Sequence, residues 1–226
     1  MKHRIKIQLF IVMFTIISAI IIRLVTPDCG ISSLKTTNDA YKINCDVDYI
    51  ITDKEYNTFV KYENDYIDSV SNSSIIAVVK PTGNICQYQL NLGQEVIIQK
   101  VIKGNGIYID DTTYIYGNKG LSIYTSYDKD LNYYSIKNLM LPGHEYLVFI
   151  DPLEINIYLK KKEYRLVDSF FNYLDLNNES SSAITATLQT LKLSELREFE
   201  FFCNSQKTMD ILLSIKNKII SKYYKE

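Results

Sequence analysis

The residues with the widest range of chemistry in this sequence are its four cysteines, Cys29, Cys45, Cys86 and Cys203. Cysteines form disulfides, bind metals or act as nucleophiles. Their spacing differs from the two close pairs typical of a zinc site, so it predicts no metal. An even number allows two disulfides, and the sequence leaves the three ways of pairing open. Buried free thiols are the alternative, which an anaerobic host would favour.

Histidine chemistry has one candidate beyond the N-terminal segment, His144. Together with Cys86 it could supply a nucleophile and a base, but nothing in the sequence brings the two together. His144 follows Pro142 and Gly143 at a predicted strand start, which is typical of an exposed turn residue. The sequence therefore predicts no catalytic residue and no cofactor.

Acidic residues offer a third chemistry, because paired carboxylates can bind a cation or act as acid and base. Asp110 and Asp111 follow a Gly-Asn-Gly turn. Asp128 and Asp130 have the spacing of the first two ligands of a calcium-binding loop. However, Tyr133 and Leu139 occupy the positions where that loop needs a glycine and a bidentate glutamate. A hydrolase would have to draw its carboxylate pair from Asp110, Asp111, Asp128, Asp130 and Glu145.

The start of the chain predicts where these residues work. Basic residues among positions 2–6 precede residues 7–22, which carry no charge. If Arg23 snorkels, the apolar helix reaches Val25 and is long enough to cross a bilayer. Residues 20–25 offer no small side chains to a signal peptidase, which favours an uncleaved anchor. The charge bias places the N-terminus in the cytoplasm and the remaining chain outside.

A lipoprotein is the alternative, because Cys29 stands at a suitable distance for acylation after signal removal. Pro27 and Asp28 disfavour it, since small residues normally precede an acylated cysteine. We therefore expect residues 1–25 to be a membrane anchor that contacts the bilayer through residues 5–25, and residues 26–50 to be a stalk or irregular lead-in. Residues 51–226 form the predicted extracytoplasmic domain.

The predicted elements alternate between helix and strand. Thr52 and Glu55 form a capping box that opens an amphipathic helix over residues 53–70. Residues 75–79 are a continuous apolar run, typical of a strand covered on both faces. A turn at 81–84 and short strands at 86–90, 95–103, 107–110, 113–116, 121–127, 145–150 and 155–159 follow. Residues 206–223 predict a helix whose apolar face is interrupted only by Lys216.

These elements predict an α+β fold, with a small OB-like barrel or sandwich flanked by helices. Three segments carry a resemblance, IIAVV at 75–79, VIIQKVIKG at 96–104 and LPGHEYLVF at 141–149. They resemble the OB-type barrel of bacterial netrin-like and tissue-inhibitor-of-metalloproteinase-like domains over about residues 75–160. The resemblance implies an extracellular binding barrel of unspecified function. Inhibitors of that class use an N-terminal cysteine, whereas Cys29 is internal, so their mechanism does not carry over.

The amino-acid composition excludes one class of function and suggests the kind of host. The chain has 25 basic and 26 acidic residues, and so lacks the positive charge that nucleic-acid binding needs. Nineteen tyrosines and no tryptophan, with abundant Ile, Asn and Lys, suggest an AT-rich bacterial genome. We predict a single-pass, membrane-anchored extracytoplasmic binding protein of a bacterial envelope, whose partner is another envelope protein or a cell-wall component. The alternatives are an envelope hydrolase and an assembly subunit whose span pairs through Thr15 and Ala19.

Overall fold

The computed structural model describes residues 34–88, 91–117, 122–125, 131–153, 163–177, 182–185 and 191–224. The predicted anchor, Cys29, and the candidate acids Asp128 and Asp130 lie outside these ranges, as does the predicted strand at 155–159. Within the described ranges, no helix combines the length and the apolar character that crossing a membrane requires.

The first described segment has regular structure where the sequence predicts an irregular lead-in. Helix α1 (Thr37–Lys42) is followed by strand β1 (Cys45–Val47), and both belong to the compact unit Leu34–Glu226. Thr36 and Asp39 form a capping box that starts α1, and Ala40 is fully buried. A helix of six residues is too short to show an apolar period in the sequence, which explains the difference.

The predicted helix over residues 53–70 is present in broken form. The capping box is confirmed, because the Thr52 backbone amide donates to the Glu55 carboxylate at 2.8 Å. A 3-10 turn (Asp53–Glu55) leads into α2 (Tyr56–Lys61), and α3 (Glu63–Ser69) ends in a second 3-10 turn (Val70–Asn72). Helix α4 (Gln206–Tyr223) has the predicted bounds.

Most of the chain between these helices is sheet. Its strands are β2 (Ile75–Tyr88), β3 (Asn91–Lys103), β4 (Thr112–Tyr116), β5 (Ser122–Thr125), β6 (Leu131–Tyr134), β7 (Tyr146–Pro152), β8 (Tyr164–Leu166) and β9 (Tyr173–Asp175). The predicted strands at 95–103, 113–116, 121–127 and 145–150 correspond to β3, β4, β5 and β7. The α+β class is therefore confirmed.

Five strands form a ring of pairings, which we call the closed sheet. Strand β2 pairs antiparallel with both β3 and β7, and β3 pairs antiparallel with β4. Strand β4 pairs parallel with β8, and β8 pairs antiparallel with β7, which completes the ring. Strand β9 adds to β7, and β1, β6 and β5 form a separate three-stranded sheet.

The apolar run at 75–79 is covered on both faces, as predicted. Ile76 and Val78 belong to the cluster that packs against Leu212 and Ile215 of α4. Ala77 and Val79 belong to a second cluster, together with inward residues of β3, β4 and β8. The two faces of this part of β2 thus pack against two different hydrophobic clusters.

Two predicted features are wrong. The expected turn at 81–84 is an irregularity within β2, where pairing with β3 shifts between Pro81 and Ile85. Pro81 lacks an amide proton and Gly83 has φ +95°, which suits a bulge as well as a turn. The expected strand at 107–110 is instead a turn between β3 and β4.

Candidate functional site

The three described cysteines are free thiols, so the structure forms none of the disulfides that would join them. Cys86 donates to the Tyr116 hydroxyl at 3.6 Å, whereas Cys203 donates to the Ser205 carbonyl at 3.3 Å. Cys203 lies in the cluster beneath α4, and Cys45 is buried in the three-stranded sheet. Burial raises the pKa of all three thiols, that of Cys45 to about 12. Protonated thiols are weak nucleophiles.

His144 pairs with Asp175, which was not among the candidate acids. Its Nδ1 lies 2.8 Å from Oδ2 of Asp175, on β9, while its side chain is 35% exposed. The other oxygen of Asp175 accepts from the backbone amide of Asn177 at 2.8 Å. The side-chain oxygen of Asn177 in turn accepts from the backbone amide of Glu145 at 2.5 Å. These contacts fasten the turn before β7 to the end of β9. Glu145, one of the candidate acids, thus takes part in these contacts through its backbone amide.

Asp175 also belongs to a group of four buried ionisable residues, which we call the buried network: Asp175, Glu200, Lys216 and Lys137. The Asp175 amide donates to Glu200 at 3.0 Å, and Glu200 forms an ion pair with Lys216 at 2.5 Å. The side chains of Lys216 and Glu200 are only 5% and 6% exposed. Lys216 therefore lies on the buried face of α4, where Glu200 balances its charge.

Lys137 is the most unusual member of the buried network. Its ammonium group donates to the Tyr173 carbonyl, and it lies 3.8 Å from the centre of the Tyr173 ring and 5.2 Å from that of Phe201. Burial lowers its pKa to about 7, which the carboxylates of Glu200 and Asp175 partly oppose. Lys137 therefore loses its proton near neutral pH, far below the usual range of a lysine.

A small pocket borders the buried network. Asp175, Glu200, Tyr146 and Tyr173 contribute to its lining, and it has room for about one water molecule. Asp175 and Glu200 are the described acids that come together here, but hydrogen bonds and ion pairs already engage both. Asp110 and Asp111 lie in a different turn. The buried network therefore holds segments of the fold together, and its acids leave little space for a substrate.

The turn between β3 and β4 presents different chemistry. Asp110 donates its backbone amide to Ile98 at 2.8 Å, and Ile98 donates to the Asp111 carbonyl at 3.0 Å. Ile107 is buried in the same hydrophobic cluster as Tyr164, and the Tyr164 hydroxyl donates to the Gly106 carbonyl at 3.3 Å. Both ends of the turn are thus fixed to the sheet.

Two aspartates give this turn its shape. Oδ2 of Asp111 accepts from the Tyr108 amide at 3.1 Å, and the Asp111 amide donates to the Tyr108 carbonyl at 3.2 Å. Asp110 has φ 68°, a left-handed conformation that Asp and Asn tolerate better than other residues with a Cβ. Both acids were candidates for a cation site or a hydrolase pair, and the structure gives Asp111 a role in holding the turn.

The turn displays two large apolar residues, Tyr108 and Ile109, which we call the apolar tip. They are 65% and 59% exposed, more than any other large hydrophobic residue in the described part of the chain. Adjacent exposed apolar side chains on a fixed turn are a feature of contact surfaces. The sequence pattern predicted a strand at 107–110 and therefore did not indicate an exposed turn. The glycines before these residues and the two aspartates after them are nevertheless turn signals.

The left-handed Asp110 gives a first testable prediction. Asp110→Ala is expected to lower the free energy of unfolding by about 1 kcal/mol relative to Asp110→Asn, because alanine cannot adopt this backbone conformation without strain. Urea unfolding of the two full-length variants in mild detergent measures the difference. Equal midpoints would show that the turn relaxes to a negative φ without loss.

The sequence matches no known protein family, and no similar sequence is found among curated proteins.

Proposed function

We propose that this chain is a single-pass, membrane-anchored protein of a bacterial envelope, whose extracytoplasmic domain binds another envelope protein through the apolar tip. The observation that carries the proposal is the exposure of Tyr108 and Ile109 on a turn fixed at both ends. Burying two such side chains at an interface removes a large apolar area from water, which is the main driving force of protein association.

The proposed location rests on the sequence. The basic N-terminal residues and the uncharged run over 7–22 support an anchor with the N-terminus in the cytoplasm. A domain on the far side of the membrane would meet other envelope proteins, which fits an interaction role.

We also propose that the closed sheet is an OB-type barrel, as the netrin-like resemblance implies. An OB-type barrel is a five-stranded Greek-key barrel. The order of pairing, β2-β3-β4-β8-β7 and back to β2, supports this assignment, as does the parallel pairing of β4 with β8. Because this fold serves many functions, the apolar tip and not the barrel carries the functional proposal.

Replacing a residue of the tip tests the proposal. Ile109→Ser is expected to weaken the complex at least about tenfold, because central apolar contacts dominate interface energies. Native electrophoresis of mild detergent extracts from cells expressing the full chain measures the fraction that migrates as a complex. Val60→Ser is the matched control, because Val60 is 46% exposed and lies on α2. A complex that survives Ile109→Ser as well as Val60→Ser would contradict the proposal.

A further inference from the structure

The charges beside the apolar tip define the kind of partner it fits. Between residues 104 and 117, the charged side chains are Asp110 and Asp111, and both residues are exposed. The nearest preceding cation, Lys103, donates to the carbonyls of Ser71 and Ser73 at 2.9 and 2.7 Å. Two carboxylates, those of Asp110 and Asp111, thus follow the apolar tip directly in the sequence.

We infer that the partner is a protein with an apolar pocket that receives Tyr108 and Ile109, rimmed by lysine or arginine side chains that meet Asp110 and Asp111. The inference rests on the proposed function and adds the chemistry of the partner. Apolar anchors surrounded by polar contacts are the usual organisation of an interface, and complementary charge at the rim fixes orientation and speeds association.

Charge also argues against a lipid surface as the occupant. Segments that bind at membrane interfaces are rich in Lys and Arg, which meet anionic headgroups. Insertion of Ile109 would instead carry Asp110 into the headgroup layer. The same two carboxylates that suit a basic protein rim therefore disfavour a membrane.

The fold allows the charges to be removed without rebuilding the turn. Asp110→Asn keeps a residue that tolerates the left-handed conformation. Asp111→Asn keeps a side-chain oxygen that can accept from the Tyr108 amide, the contact seen at 3.1 Å. The double variant therefore tests charge while leaving the apolar tip in place.

The experiment compares the native complex of the full chain in mild detergent at low and high salt. The double variant Asp110→Asn/Asp111→Asn is expected to retain about fivefold less complex at low salt and to lose most of the salt dependence seen in the natural protein. Asp65→Asn on α3, also exposed, is the control and is expected to behave as the natural protein does.

The outcomes separate this inference from the proposed function. If Ile109→Ser removes the complex but the double aspartate variant leaves it unchanged, the apolar contact stands and the basic rim is refuted. If Ile109→Ser also leaves the complex intact, the proposed function itself fails. A complex made of two copies of this chain would refute a separate partner. Binding to vesicles of phosphatidylglycerol and phosphatidylethanolamine that Ile109→Ser abolishes would refute a protein partner.

Discussion

Lys216→Met is expected to lower the free energy of unfolding by about 3–5 kcal/mol, because it leaves the Glu200 carboxylate buried without its cation. The two side chains are 5% and 6% exposed and 2.5 Å apart. Without Lys216, the Glu200 carboxylate keeps the hydrogen bond from the Asp175 amide but loses the cation that balances its charge. Urea unfolding of the full chain in mild detergent measures the change.

The same helix provides a matched control. Lys218 pairs with Glu63 at 2.7 Å, but its side chain is 54% exposed, so Lys218→Met is expected to change the free energy of unfolding by less than about 1 kcal/mol. The double variant Lys216→Met/Glu200→Gln is expected to recover part of the loss, because glutamine leaves no carboxylate at position 200 to be buried without its cation. Equal effects of the two single lysine variants would show that the buried ion pair is not a determinant of stability.

Lys137→Met is expected to stabilise the protein near neutral pH, because methionine removes an amine that is costly to bury in its charged form. The Lys137 pKa falls from its ordinary 10.5 to about 7 in the folded chain. Between these values the unfolded chain binds more protons than the folded chain, so stability rises with pH. The whole range corresponds to on the order of 5 kcal/mol.

Methionine should abolish this dependence while losing the hydrogen bond to the Tyr173 carbonyl and the contacts with the two rings. The stabilisation of the Lys137→Met variant relative to the natural protein is therefore expected to be largest near pH 7 and to shrink as the pH rises toward 10. Free energies of unfolding at pH 7, 8, 9 and 10, compared between the two proteins, measure it. A constant difference across this range would show that Lys137 keeps an ordinary pKa.

Features set by local sequence were predictable. The Thr52 capping box, the doubly covered run at 75–79 and the bounds of α4 follow from neighbouring residues, whose preferences agree with the final packing. Even Lys216 was visible as an exception on the apolar face of α4. The ion pair of Lys216 with Glu200 was not predictable, because Glu200 lies on a segment whose position depends on tertiary structure.

Features set by long-range contacts were not predictable. His144 was a candidate, but its partner Asp175 lies 31 residues further along the chain. Lys137 gave no local signal, since its burial depends on Tyr173 and Phe201. The turn at Ile107–Asp110 was predicted as a strand because its apolar residues fit the pattern, whereas the hydrogen bonds of Asp110 and Asp111 to Ile98 reverse the chain.

The most direct test of the proposed interaction is photo-crosslinking on intact cells, with a photoreactive phenylalanine in place of Tyr108 in the full chain. The matched position for comparison is Tyr62, which is 41% exposed and lies between α2 and α3. We predict one discrete protein adduct from position 108 and none of that size from position 62. Absence of an adduct at 108, or the same adduct from both positions, would contradict a role for the apolar tip in binding.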